Sequence, residues 1–473
     1  MIFTILTGIY VCAALLLTIT VSGQTLLLLL YWQHRRDAAA VPPLDEWPTA
    51  AVQLPIYNEQ HVIGRLLEAV AALDYPRDKL TVQVLDDSTD ETSALVAEKV
   101  AALRADGLNI QHIRRDNRTG FKAGALAQGF AQLASEYVAV FDADFVPPPH
   151  FLKATIPHLA ADPSLGMVQT RWGHLNASGN LLTRSQALAL DGHFVVEQTA
   201  RYRAGWLLSF NGSGGVWRSA CIQAAGGWRD TTLTEDLDLS YRAQFAGWRF
   251  MYLPEVVVPG ELPPQLAAYK QQQARWAQGN TQCLVRLIRP LWGGRFTLAQ
   301  RVMATLHLAQ YLPAPLLLLL LLLTPPLMLS GALDGLPLAP LGLAGLGPPL
   351  LYATSQWTLY PEWRRRMLAF PALLVLGTGI SWNNTRAVLA AFLGRRMEFR
   401  RTPKFANTWQ ASGYALRGNP TLLGEIALAV YALCGAALAW RLNPMLIPYL
   451  TVYGVAFGAL ALWGLRDRWQ IQG

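Results

Sequence analysis

Residues 137–149 read YVAVFDADFVPPP. Tyr137-Val138-Ala139-Val140 is an apolar run of the kind that forms a buried strand, yet it leads directly into two carboxylates placed one residue apart. Three prolines at 147–149 stop the strand and forbid a helix for several residues. Asp142 and Asp144 therefore sit on a rigid strand-to-loop corner.

Outward from this corner, residues of about 45–285 alternate short apolar strands with helical periodicity, which predicts an α/β fold built on a mostly parallel sheet. Ala50–Leu54 is the first strand, and Glu59–Leu73 follows as a helix with Val62, Ile63, Leu66, Leu67 and Val70 on one face. Val82–Leu85 is the second strand and ends in Asp86-Asp87. Ser88-Thr89-Asp90-Glu91 then fits a capping box that starts a helix carrying Leu95, Val96, Val100 and Leu103. Residues 110–113 and 137–141 supply later strands. Ligands of such sheets collect at the carboxyl ends of the strands, where both acidic pairs fall.

The flanks differ in kind. The chain is 52% hydrophobic and only 15% charged, apolar for a soluble protein. Ile2 to Tyr31 carries no charge, and further apolar runs lie near 302–330, 336–357, 421–440 and 443–465, each long enough for the about 20 residues of a membrane span. The first run has no small-residue cleavage site behind a short apolar core and reads as an anchor. Leu368–Ser381 is apolar but short and contains Pro371, so a re-entrant or half-buried segment is expected there, followed by an amphipathic surface stretch, Arg386–Leu393.

The net charge of +8 raises the question of nucleic acid, and the position of the basic residues excludes it. They border the apolar runs, at Arg35-Arg36, Arg286 to Arg301, Arg364-Arg365-Arg366, the stretch 395–404, and Arg466 with Arg468. Placing them all on one side satisfies the positive-inside rule and makes that side, with the α/β domain, cytoplasmic. The expected organisation is an anchor over 1–36, a cytoplasmic domain over 37–290 and membrane helices over 291–473. The location is an integral, multi-pass protein of the plasma or inner membrane. The four cysteines form no CxxC pair, so neither a zinc site nor a disulfide framework is indicated.

Each local motif carries a bland reading beside a chemical one. Asp142-Ala143-Asp144 offers two hard oxygen ligands suited to Mg²⁺ or Mn²⁺ bridged to a diphosphate, or simply a solvated strand end. DADFV also fits the Asp-x-Asp-x-Val nucleophile loop of haloacid-dehalogenase-type phosphatases, although two βα units precede it here. Asp86-Asp87 is a place for a nucleotide's base or ribose, or a turn-forming pair. In RTGFKAG, residues 118–124, the glycines allow close backbone approach and Lys122 can meet a phosphate; the same pattern is common in loops. Thr234-Glu235-Asp236 opens a helix with Thr234 as N-cap, where acids are favoured by the dipole in any case. A base held rigidly at that helix start is the chemical alternative. Gln272-Gln273-Ala274-Arg275-Trp276 reads either as a membrane-interface Trp with a snorkelling Arg, or as a cation for a diphosphate beside an indole for a sugar ring.

Taken together and in order, LPIYNE, VLDDSTDET, DNRTGFKAGAL, FDADF, FNGSGGVWR, TLTEDLDLSYRAQ and QQQARWAQG resemble glycosyltransferase family 2. The match is to its membrane enzymes of the cellulose synthase and glucomannan (mannan) synthase type, above all the cellulose-synthase-like A group. The resemblance runs from about 50 to 290. It implies a GT-A nucleotide-sugar-binding domain inserted between transmembrane helices, beside a transmembrane channel. Carried over residue by residue, Asp86 and Asp87 would touch the nucleotide, Lys122 its base or phosphates, and Asp142 with Asp144 the metal and diphosphate. Asp236 would be the catalytic base. Glu235, Gln272, Arg275 and Trp276 would line the acceptor site and the diphosphate. Phe399-Arg400-Arg401-Thr402-Pro403-Lys404 is similar to the Phe-x-Val-Thr-x-Lys gating loop of cellulose synthases, with Arg401 in place of Val, so Phe399, Thr402 and Lys404 of the 395–404 stretch become candidates. A basic juxtamembrane loop is the plain alternative.

The expected activity is inverting, metal-dependent, processive transfer of hexose from UDP-glucose or GDP-mannose to a β-linked glucan, mannan or glucomannan. A non-processive enzyme glycosylating a membrane lipid, of the ceramide or diacylglycerol type, is the alternative. The partners implied are the nucleotide-sugar donor, a polysaccharide or lipid acceptor and the lipid bilayer; no export partner is legible. A phosphatase would release phosphate from small esters without an acceptor, and an inactive transporter or scaffold would have broken acidic motifs, which here are intact.

Overall fold

The computed structural model describes residues 1–35, 40–336, 344–395, 402–405, 409, 412–416 and 418–472. The expected α/β domain is centred on a seven-stranded sheet. Its strands are β1 (Ala50–Ile56), β2 (Leu80–Asp86), β3 (Ile110–Arg114), β4 (Tyr137–Val140), β5 (Leu165–His174), β6 (Gly215–Arg218) and β7 (Arg249–Gly260). They lie in the order β3-β2-β1-β4-β6-β5-β7. β1 pairs in parallel with β2 and β4, β2 with β3, and β5 with β7, while β6 runs antiparallel between β4 and β5. Every residue of β1 is buried, as expected of a strand covered on both faces.

The helix predicted over 59–73 is Ile63–Ala71, with Ile63, Leu66, Leu67 and Val70 buried. The capping box expected at Ser88 does not form. The next helix starts at Thr92, and the Ser88 hydroxyl instead accepts the Asn58 backbone N–H at 2.9 Å, tying the end of β1 to the end of β2. Beside Thr234 the helix Glu235–Phe245 begins where the sequence placed it, but the Thr234 side chain makes no cap bond and meets Cys283 Sγ at 3.5 Å.

Among the described residues three helices are long and apolar enough to cross a membrane: Ile2–His34, Leu422–Leu442 and Pro444–Gln470. A fourth candidate is the pair Leu298–Leu308 and Pro313–Leu329, bent by 68°. Helix Gly347–Leu359 has 13 residues, about 20 Å at 1.5 Å each and short of a full span on its own. Leu368–Ser381 is largely helix Phe370–Gly379, which packs on the last apolar helix. The stretch expected on the membrane surface is part of helix Ser381–Phe392; it buries Ala387 and Val388 against helix Leu266–Gly293 and leaves Leu389 and Phe392 exposed. Helix Leu266–Gly293 is thus the seam between the sheet domain and the apolar helices.

Candidate active site

The carboxyl ends of β1, β2 and β4 open into one cavity. Tyr57, Asp87, Arg118, Lys122, Asp142, Asp144, Glu235, Asp236, Gln272, Arg275, Trp276, Thr402 and Lys404 all line it. Residues spread from Tyr57 to Lys404 are therefore brought to one place by the sheet, the seam helix and a returning C-terminal segment.

Asp86 is the exception. It is buried behind the cavity wall, where one oxygen accepts the Ser88 N–H at 2.8 Å and the other pairs with Ser93 Oγ at 2.6 Å and His112 Nε2 at 2.8 Å. Burial alone would raise its pKa, but these hydrogen bonds outweigh it and hold the carboxyl at about 2. The carboxylate that faces the cavity is Asp87. Arg115 grips it with Nε at 2.7 Å and with Nη2, and the same guanidinium donates to Thr119 O at 2.9 Å and Phe121 O at 3.0 Å. One arginine therefore shapes the 118–124 loop around Asp87. The loop is tight: Gly120 has φ +72°, and a Cβ on Gly124 would stand 2.1 Å from Thr119 O. Arg118 lies on the Tyr57 ring, 3.3 Å from its centroid.

Lys122 Nζ donates to Gly212 O at 2.8 Å and pairs with Asp142 Oδ1 at 2.6 Å and Glu235 Oε1 at 3.6 Å. Burial would lower its pKa, yet the carboxylates of Asp142, Glu235 and Asp236 raise it and keep the ammonium charged. Burial raises Asp142 in spite of Lys122. Asp144 is paired in the same manner from elsewhere: Lys404 Nζ lies 2.7 Å from Asp144 Oδ2 and 2.7 Å from Glu261 O. The next residue, Phe405, donates its N–H to Glu261 Oε1 at 2.8 Å. Thr402 Oγ1 is buried in the wall without a hydrogen-bond partner among the described residues. Phe399, the third candidate of that loop, lies outside the described residues.

Asp236 stands in the first turn of helix Glu235–Phe245, with Oδ1 accepting the Leu237 N–H at 2.9 Å. Burial, then the neighbouring Glu235, push its carboxyl up to about 7 against the pull of Lys122. Gln272, Arg275 and Trp276 project from the seam helix into the same space. Gly279 lets that helix approach closely: a Cβ there would stand 2.6 Å from Thr234 Cγ2 and 2.9 Å from Thr234 N, directly before the acidic turn.

Two further features had no role assigned from sequence. Trp172, whose Nε1 donates to Ser213 O at 2.9 Å, and Asn211 also line the cavity. Asn211 lies in the FNGSGG stretch, which was quoted above without a role. Trp172 lies on β5, a strand that no local signal had marked. Both residues, with Asp236 and Trp276, also border a second cavity that continues between the apolar helices.

As a metal site the corner is simple. Among the described residues no group of three or more His, Cys, Asp and Glu side chains converges on one point. Two hard carboxylates open to the cavity do fit a cation of the Mg²⁺ or Mn²⁺ type, which is commonly held by one or two carboxylates with substrate phosphates completing the shell.

Residues 48–279 match the family model described as "Glycosyltransferase like family 2". A protein of Oryza sativa subsp. japonica named "Probable glucomannan 4-beta-mannosyltransferase 7" is 46% identical over 252 residues, 52% of this chain and 43% of that one. "Glucomannan 4-beta-mannosyltransferase 2" of Arabidopsis thaliana is 42% identical over 246 residues, 51% of this chain and 46% of its own length. The chain spans about half the length of the curated relatives it matches. In structure it is similar to the mannosyltransferase PcManGT of Pyrobaculum calidifontis, solved in complex with GDP-Man and Mn²⁺, with a TM-score of 0.56 at 22% identity over 83% of this chain and 100% of that one. The fold is thus GT-A, and the cavity just described lies within the segment similar to glycosyltransferase family 2, completed by the returning segment at Thr402 and Lys404.

Proposed function

We propose that the protein is an inverting, processive hexosyltransferase that extends a β-linked mannan or glucomannan at a membrane, with GDP-mannose as the leading donor and UDP-glucose as the second. The observation that carries the reading is the convergence of Asp142, Asp144, Lys122, Asp236, Arg275 and Trp276 on one cavity that opens onto a second one between apolar helices. The mannosyltransferase names of the relatives support mannose as the sugar.

Asp87 and the Arg118–Tyr57 stack receive the nucleoside, and Lys122, Lys404 and the Thr402 hydroxyl, which has no partner among the described residues, receive the phosphates. Asp142 and Asp144 would hold the divalent cation, which when bound offsets charge on the leaving diphosphate. Asp236 takes the proton of the acceptor hydroxyl as that oxygen bonds to the anomeric carbon and the carbon–diphosphate bond breaks. Arg275 faces the departing diphosphate, and Trp276 offers an indole face to the acceptor sugar. One in-line displacement turns an α-linked donor into a β-linked product.

The deciding experiment incubates the purified full chain in detergent with radiolabelled GDP-mannose or UDP-glucose and Mn²⁺, then sizes the product. Polymer that a β-mannanase degrades is the expected outcome. A product confined to a monoglycosylated lipid would replace the processive reading with lipid glycosylation.

A further inference from the structure

The second cavity holds a charged pair that the transfer chemistry above does not use. Residues Gly192–Gln198 form a π-helical segment between two α-helices, and His193 and Glu197 stand four apart on it, facing the cavity. Such segments are rare and occur frequently at functional sites. His193 Nδ1 lies 3.0 Å from Glu197 Oε2. On the far side of the ring, Asn211 Nδ2 lies 3.2 Å from His193 Nε2. The amide can only donate there, so Nε2 accepts and the ring proton sits on Nδ1, given to Glu197.

Glu197 is also met from the N-terminal apolar helix, where Gln24 Nε2 donates to Oε1 at 3.2 Å. A glutamine within an otherwise uncharged span is costly unless it serves a site or a partner. Burial would raise the Glu197 pKa, but the His193 hydrogen bond and the charge of Arg201 lower it, so the group stays an anion. Its side chain retains 16% exposure and that of His193 24%, both toward the cavity. An ionised carboxylate has about four lone-pair sites, and one protein hydrogen bond to each oxygen leaves two for O–H donors. The surrounding wall mixes aliphatic side chains, among them Leu17, Leu27 and Leu317, with the rings of Trp172, Tyr269, Tyr311 and Tyr352. A carboxylate among aromatic faces matches a sugar unit, which offers adjacent hydroxyls on its edge and C–H groups on its faces. A lipid chain would leave the charged pair without donors, at the cost of a buried, underused anion.

We propose that His193 and Glu197 form a saccharide subsite in which Glu197 accepts hydroxyls of a sugar unit behind the one that receives the transfer. The proposal rests on the glycosyl-transfer reading given above. His193 and Gln24 act as positioning residues that hold the carboxylate, and Asn211, which borders both cavities, links the pair to the transfer site.

The test titrates the full chain in detergent with mannose and with β-1,4-linked mannotriose, following tryptophan fluorescence, since Trp172 and Trp276 line the cavity. The same titrations are run on Glu197→Gln and His193→Gln. The parent is expected to bind mannotriose more tightly than mannose by about tenfold or more, as loss of hydrogen bonds to a charged group is felt on that scale. Each variant should pull that ratio toward unity. An unchanged ratio in both variants, or equal weakening of both sugars, overturns the subsite and leaves the pair a scaffold. Nucleoside diphosphate release from GDP-mannose and UDP-glucose by the parent is measured alongside. No release from either donor would remove the transfer reading, while the mannotriose-to-mannose ratio would still decide the subsite.

Discussion

Lys404 Nζ lies 2.7 Å from Asp144 Oδ2 across 260 positions of sequence. The pair is about nine-tenths buried on both sides, so it fixes the returning segment against the DAD corner rather than decorating a surface. It also puts an ammonium on the carboxylate proposed to hold a cation, as Lys122 does at Asp142. Asp142 and Asp144 would hold the cation, and Lys122 and Lys404, which pair with them here, would meet the phosphates of a donor.

Asp144→Ala is accordingly expected to abolish metal-stimulated transfer, and excess chelator to do the same to the parent. Lys404→Ala should keep the metal requirement but raise the donor KM about tenfold or more, the scale of one charge-assisted hydrogen bond. Donor titrations at saturating Mn²⁺ read the difference. Full activity of Asp144→Ala in chelator would end the metal assignment.

Asp236→Asn keeps shape and removes the base, so transfer should fall by about 10²-fold or more while donor binding is largely retained. The parent's dependence on pH has a definite sign. The base works ionised, and its carboxyl is raised to about 7, so the rate should climb as pH rises through that value and fall on the acid side. Glu235 is one cause of the raised value, so Glu235→Gln should move the midpoint to lower pH. A rate flat from pH 5 to 8 would speak against Asp236 as the base.

Gly279 sets the distance between the seam helix and the acidic turn. Gly279→Ala forces a methyl against Thr234, including its backbone nitrogen, which cannot swing away as a side chain end can. Overpacking of this kind costs about 1–3 kcal/mol. The expected result is a lowered thermal transition together with reduced kcat, because Trp276 and Arg275 shift relative to Asp236. A loss of stability with kcat intact would separate the two roles.

The parts of the site that could be read from sequence are those whose chemistry is local. Asp142 and Asp144 follow a strand and precede prolines, and Asp236 opens a helix, so position and residue type agree. Asp86 and Asp87 looked equivalent because adjacency says nothing about which one faces inward. Their separation depends on His112, on the next strand, and Arg115, beyond it, through contacts 26 and 28 residues apart. Trp172 and Asn211 were missed for the same reason, since β5 and the 211–214 turn meet only in the folded chain, through bonds such as Trp172 Nε1 to Ser213 O and Asn211 N to Gln169 Oε1. His193 and Glu197 carry no signal at all, because a π-helical segment changes which residues share a face.

The proposed orientation in the membrane is supported by contacts of the basic segments. Arg366 lies 3.6 Å from Asp191 of the sheet domain, and Lys404 reaches Asp144, so both segments share a side with the candidate cavity. A cysteine placed at Arg365 in whole cells should resist an impermeant thiol reagent, and one at Asp334 should react. The reverse labelling would place the donor site away from cytoplasmic nucleotide sugars.

Chain growth gives the last test. A processive enzyme must hold its product after each transfer, and Trp276, like Asp236, lines both cavities where they meet, ahead of the rings of Tyr269, Tyr311 and Tyr352. An enzyme that glycosylates a lipid once has no need of a sugar platform there. Trp276→Ala should therefore do more than slow the first transfer. Removing the indole face costs about 1 kcal/mol of acceptor binding, which shifts the balance between extension and release at every cycle by roughly fivefold. Small per-cycle changes compound, so product length should drop from polymer to short oligosaccharides while donor KM stays close to the parent's. Polymer of unchanged length from Trp276→Ala would show that product retention resides elsewhere, with the His193–Glu197 pair and the wall around it as the remaining means.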